Sequence, residues 1–146
     1  MAKPALLPIL VLASLFAASA GAERLDPARA AALAEAERAI LEERYDDAQE
    51  ILDGLAGGLE VEEAVLAARL ELALRRAGLR GASGTAVEVP AEVTDAATAL
   101  ERRSEPGHRS CVLLADEAIA SGNADGAARW LERAVRLAPE DDESRL

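Results

Sequence analysis

Aromatic side chains are nearly missing from this chain: one Trp, one Tyr and one Phe make up 2% of its 146 residues. That scarcity excludes a core built on large rings, and it excludes a nucleic-acid platform of stacked aromatics. Cysteine and histidine occur once each, so no intrachain disulfide can form and no second ligand pair stands ready for a structural zinc. Hardly any run of alternating apolar and polar residues marks a strand, and no glycine-rich phosphate loop sits between strand and helix. Basic residues are also short, with 16 Lys and Arg against 27 acids and a net charge of −11. A field of that sign, with no basic run to offset it, disfavours nucleic acid and anionic lipid as partners.

What is present begins with an export pattern. Lys3 supplies a positive start, Leu6 to Ala18 is an apolar run interrupted by Pro8, and Ala18-Ser19-Ala20 gives a small-x-small cleavage site. The run is shorter than the roughly 20 residues of a membrane span. Residues 1–22 are therefore expected to be a signal peptide cut after Ala20 or Ala22, with an uncleaved anchor as the alternative. No Cys lies near the cut, which argues against a lipid anchor. The expectation is an exported protein, periplasmic or secreted, with no stable membrane insertion after cleavage.

Helix formers dominate the rest. Asp26-Pro27 reads as a cap followed by a residue preset for the first turn, and Leu33, Ala36, Ile40 and Leu41 form one stripe of a helix over Ala28 to Glu43. Tyr45 wedges at the following turn, Asp46 is expected to cap a second helix with Gln49 three residues on, and Ala48, Leu52 and Leu55 recur at i, i+4 and i+7. A third helix runs from Val61 to Ala77 with Gly78 as its stop, and its leucines at 66, 70, 72 and 74 cover more than one face. Leu79 to Val89 has no helical period; it reads as a loop, with a client-touching lip or a short AVEV strand as the functional alternative. A helix over Ala91 to Arg103 follows, with Val93, Ala97 and Leu100 on one side.

The last unit is the clearest. Gly122 ends a helix that starts at His108, Asn123 caps the next, and Ala127, Leu131 and Ala134 share a face before Pro139 stops the run. The series Cys111, Leu114, Ala115, Ala118, Gly122, Ala127, Leu131, Ala134, Pro139 resembles a tetratricopeptide repeat in frame and small residues. Aligning Ala48 with Ala127 places Ala36 under Ala115, Glu35 under Leu114 and Glu43 under Gly122. The middle hairpin has an ambiguous register, because Glu71 lands on a small position if Gly78 is its turn glycine. The resemblance implies an all-α right-handed solenoid of three hairpins and six helices over residues 23–139, followed by an acidic tail at 140–146.

The resemblance also implies a function: a non-catalytic scaffold for a protein partner in the envelope, without cofactor or metal. Its inner-helix groove would present Leu33, Glu37, Ile40 and Leu41 from the first hairpin, and Arg109, Val112, Asp116 and Ile119 from the third. A clamp for a terminal carboxylate, known in some relatives, needs several basic groups there, and only Arg109 is placed for it. A second expectation is a homo-oligomer formed through the C-terminal hairpin, where Trp130, Leu131, Val135 and Leu137 are candidates for exposed apolar surface. A third reading is chemical. His108 and Cys111 stand three apart on one face near a helix start, where backbone amides and a cationic imidazole would favour a thiolate; the bland alternative is a buried core cysteine. The acidic tail lacks the glycine and the spacing of a calcium loop.

Overall fold

The computed structural model describes residues 26–55, 62–81, 86–103 and 105–137. The expected signal peptide, Val61, Pro139 and the acidic tail lie outside the described residues, as does the middle of the expected loop, 82–85. Among the described residues there are six helices and no strand: α1 (Pro27–Leu41), α2 (Tyr45–Leu55), α3 (Glu63–Arg76), α4 (Ala91–Glu101), α5 (His108–Ala120) and α6 (Ala124–Leu137). The all-α expectation holds at that level.

Local chemistry sets the boundaries. Asp26 caps α1, its carboxylate accepting from the Arg29 amide at 2.9 Å, and Pro27 follows in the first turn. Three helices then stop in one way. The Glu43 amide donates to Ile40 and that of Arg44 to Ala39; Gly78 donates to Arg75 and Leu79 to Leu74; Gly122 donates to Ile119 and Asn123 to Ala118. These paired bonds need a left-handed residue, and φ is 60° at Glu43, 69° at Gly78 and 81° at Gly122. Glu43 therefore does the work of the turn glycine despite its side chain. The expected cap at Asp46 is wrong. This turn releases the chain two residues after Glu43, so α2 already starts at Tyr45, and Asp46 instead accepts from Arg76 at 2.9 Å. In the third hairpin Asn123 does cap α6, accepting from the Gly126 amide at 2.9 Å.

Packing follows a regular rule. Each odd-numbered helix packs on its hairpin partner, α1 on α2, α3 on α4 and α5 on α6; α3 also packs on both α1 and α2, and α5 on both α3 and α4. Two apolar clusters result. One joins Leu33, Ala36, Ile40, Ala48, Leu52 and Leu55 of the first hairpin to Val65, Ala68 and Leu72 of α3. The other joins Leu70 and Leu74 of α3 to Val93, Ala97 and Leu100 of α4 and to Leu113 and Leu114 of α5. The two-sided apolar pattern of α3 is thus spent on both neighbours, each buried leucine contributing about 2 kcal/mol. The AVEV stretch, residues 86–89, forms no strand. Leu79 is buried and Val89 packs on the second cluster, while the Val87 amide donates to the Ala120 carbonyl at 2.9 Å.

Candidate functional site

The odd-numbered helices α1, α3 and α5 bring one charged network together. Glu71, buried on α3, receives Arg75 from the next turn at 3.1 Å, Arg80 at 3.6 Å and Arg109 of α5 at 3.6 Å. Burying that carboxylate costs several kcal/mol unless cations gather around it, and three do. Arg109 also pairs with Glu37 of α1, and Arg80 with Asp116 of α5, whose carboxylate accepts from the Gly81 amide at 3.2 Å. The misfit noted for Glu71 in the repeat frame is therefore the centre of the network. Arg75 and Arg80 escaped the sequence reading; the only signal for them was an acid at a position that asks for a small residue.

The expected groove residues do not all open onto this surface. Leu33 and Ile40 are buried against α3, and Asp116 is buried under Arg80, so none of the three is displayed. Leu33 and Ile40 are covered by the next odd-numbered helix, α3, whereas Asp116 is covered by Arg80 and Gly81 of the segment that follows α3. Glu37, Leu41 and Arg109 border a pocket of about 210 Å³, floored by Ile40 and Glu71. Leu41 is 70% exposed there. Val112 and Ile119 are half-buried on the other flank of α5.

The C-terminal residues divide as well. Leu131, Val135 and Leu137 are 44%, 49% and 50% exposed. Leu131 is therefore not the core residue that its repeat slot implies. Trp130 is half-buried and packs on the cluster shared by α3, α4 and α5, pointing back to the middle hairpin instead of joining the exposed leucines. It borders a cleft of about 620 Å³ with Arg129, Arg133, Arg136 and Glu101. That arginine stripe at i, i+4 and i+7 was visible in the sequence and went unread.

His108 and Cys111 do not combine into a reactive pair. The His108 Nδ1 lies 2.9 Å from the Ala134 carbonyl, which ties α5 to the end of α6. The Cys111 thiol is buried and donates to the Pro106 carbonyl at 3.6 Å. Burial pushes its pKa up, with nearby Glu63 adding and Arg133 opposing. A thiol held protonated and covered is the reverse of an activated nucleophile. Glu117 is likewise held above the usual carboxylate range, first by burial and then by Glu101. Among the described residues no three His, Cys, Asp or Glu side chains converge on a metal position, and no helix is long and apolar enough to cross a membrane.

No protein-family model matches the chain, and neither a curated protein nor a solved structure is similar to it.

Proposed function

We propose that this protein is a non-catalytic interaction scaffold of the cell envelope, a tetratricopeptide-like repeat that holds a partner protein against its inner helices. The observation that carries the reading is the pocket beside Leu41. A large aliphatic side chain stands 70% exposed next to the Arg109–Glu37 ion pair, in a pocket that Glu71 also lines. An apolar anchor ringed by paired charges suits a protein ligand, because the anchor gains from desolvation while the rim sets orientation. The packing rule supports the repeat assignment, since the first and second hairpins each receive the next odd-numbered helix in the same way. The export pattern at residues 1–22 supports the envelope.

The test is a crosslinking capture from envelope extract with the mature protein and with Leu41→Glu, checked for equal helicity and equal thermal midpoint. A partner held by the wild type and lost with Leu41→Glu supports the groove. A partner held equally by both removes it. Retention of the tagged full-length chain in the cytoplasm would remove the envelope assignment.

A further inference from the structure

The first and third hairpins are the same unit read twice. Glu43 corresponds to Gly122, Tyr45 to Ala124 as first residue of the outer helix, and the register then runs without a gap from Leu33 and Val112 to Leu55 and Ala134. This equivalence says what each flank of the third hairpin is built to receive. In the first hairpin Leu33, Ile40 and Leu52 are covered by α3, which lays Val65, Ala68 and Leu72 against them. Their counterparts are Val112, Ile119 and Leu131, apolar at all three positions. Val112 and Ile119 are only half-buried and Leu131 is 44% exposed.

Charge repeats the pattern at two acids, although Arg129 stands where the first hairpin has Glu50 and Glu132 borders the cleft of Arg129, Arg133 and Arg136. Arg69 of α3 reaches Asp53 at 3.6 Å and the Leu52 carbonyl at 3.1 Å, and Arg76 reaches Asp46 at 2.9 Å. The counterparts of Asp53 and Asp46 are Glu132 and Asp125. Among the described residues neither of these has an arginine within ion-pair distance.

We propose that the flank formed by Val112, Ile119 and Leu131 is a docking site for an amphipathic basic helix of a partner protein. That helix carries small or aliphatic residues at i, i+3 and i+7, and arginines at i+4 and i+11 that meet Glu132 and Asp125. The template is α3 itself, with Val65, Ala68, Arg69, Leu72 and Arg76 at those places. Residues 138–146, Ala-Pro-Glu-Asp-Asp-Glu-Ser-Arg-Leu, carry neither the stripe nor the sign to fill it. A second copy is also a poor occupant. Its own α3 is already buried, and each chain carries a net charge of −11, which opposes self-association. The site is separate from the inner pocket at Leu41, so either can fail alone.

The experiment is fluorescence anisotropy of a labelled, helix-stabilised peptide reproducing residues 62–77 against the full-length protein. Binding that weakens at least ten-fold in Leu131→Glu is expected, the size of an interface anchor lost. Glu132→Arg is expected to weaken it about three-fold, within the range of an exposed ion pair, and the peptide bearing Arg69→Glu should restore binding to that variant. Equal far-UV helicity of the variants keeps the comparison valid. The proposal is overturned by no binding to the wild type, by equal binding to wild type and Leu131→Glu, or by absence of the charge-swap rescue. Light scattering that shows a wild-type dimer abolished by Leu131→Glu would also overturn it, because a second copy would then be the occupant.

Discussion

The first and third hairpins share one backbone plan and differ in how they reach it. At the turn the third hairpin uses Gly122 where the first uses Glu43, yet both close with the same pair of backbone hydrogen bonds. At the start of the outer helix Asn123 caps with its side chain. Arg44, its counterpart, offers its carbonyl to the Ala48 amide and spreads its guanidinium over Glu35, Glu42 and Asp47. Inside, Ala36 and Ala48 match Ala115 and Ala127, all four buried. The difference teaches that the close helix crossing, set by small residues, is the conserved requirement of the unit, whereas turn, cap and covering can each be met by other means.

The largest expected effect tests the covering. Leu52→Ala should destabilise the protein by about 2–5 kcal/mol in urea unfolding, since a fully buried side chain leaves a cavity. Leu131→Ala at the matching position should change it by less than about 1 kcal/mol, as surface substitutions do. Equal losses at the two positions would mean that the flank of the third hairpin is covered in the free protein.

Next comes the turn. Gly122→Ala should cost about 1–3 kcal/mol, because a left-handed φ is joined by a new Cβ only 2.8 Å from the Ala86 side chain. Glu43→Gly should raise stability by up to about 1 kcal/mol by relieving the same φ without a neighbour in the way. A Glu43→Gly variant no more stable than wild type would show that the entropy lost by glycine offsets the relief.

A smaller contrast lies in the caps: Asn123→Ala should lower the thermal midpoint by the equivalent of about 1 kcal/mol, and Arg44→Asn should recover part of that amount in the first hairpin. The smallest effect depends on pH. Because the folded state holds Glu117 above its ordinary pKa of 4.5, it keeps that proton where the unfolded chain has released it, so stability falls as pH rises through that window. Glu117→Gln should therefore raise the midpoint at pH 7.5 and leave it unchanged at pH 4. A gain of equal size at both pH values would assign the effect to packing instead of charge.

Much of the fold was legible because helix ends here are written in local chemistry. Asp26-Pro27, Gly78 and Gly122-Asn123 each mark a boundary by a backbone need that only a few residue types meet. Asp46 misled for the same reason, as a good capping residue standing one position inside a helix whose start was fixed by the turn at Glu43. Covering is not local. Nothing in the stretch around Leu131 says whether a later helix lies on it: its slot in the repeat frame points inward, the candidate C-terminal interface points outward, and the structure leaves it exposed. The buried Glu71 was unreadable for a related reason: its three arginines come from its own next turn, from the segment beyond Gly78 and from α5, and only the fold assembles them.

The longest connection in the chain also has a consequence for how the molecule opens. By giving its Val87 amide to the Ala120 carbonyl, the segment joining the two helices of the middle hairpin is laced to the end of α5, next to the turn at Gly122. Undocking of the third hairpin therefore breaks a backbone hydrogen bond owned by the second, and the protection of a single amide becomes a local gauge of a global event. The two hairpins form one cooperative unit joined by main chain as well as by core, while among the described residues the first hairpin meets them through side chains, those of α3 and the Arg109–Glu37 pair.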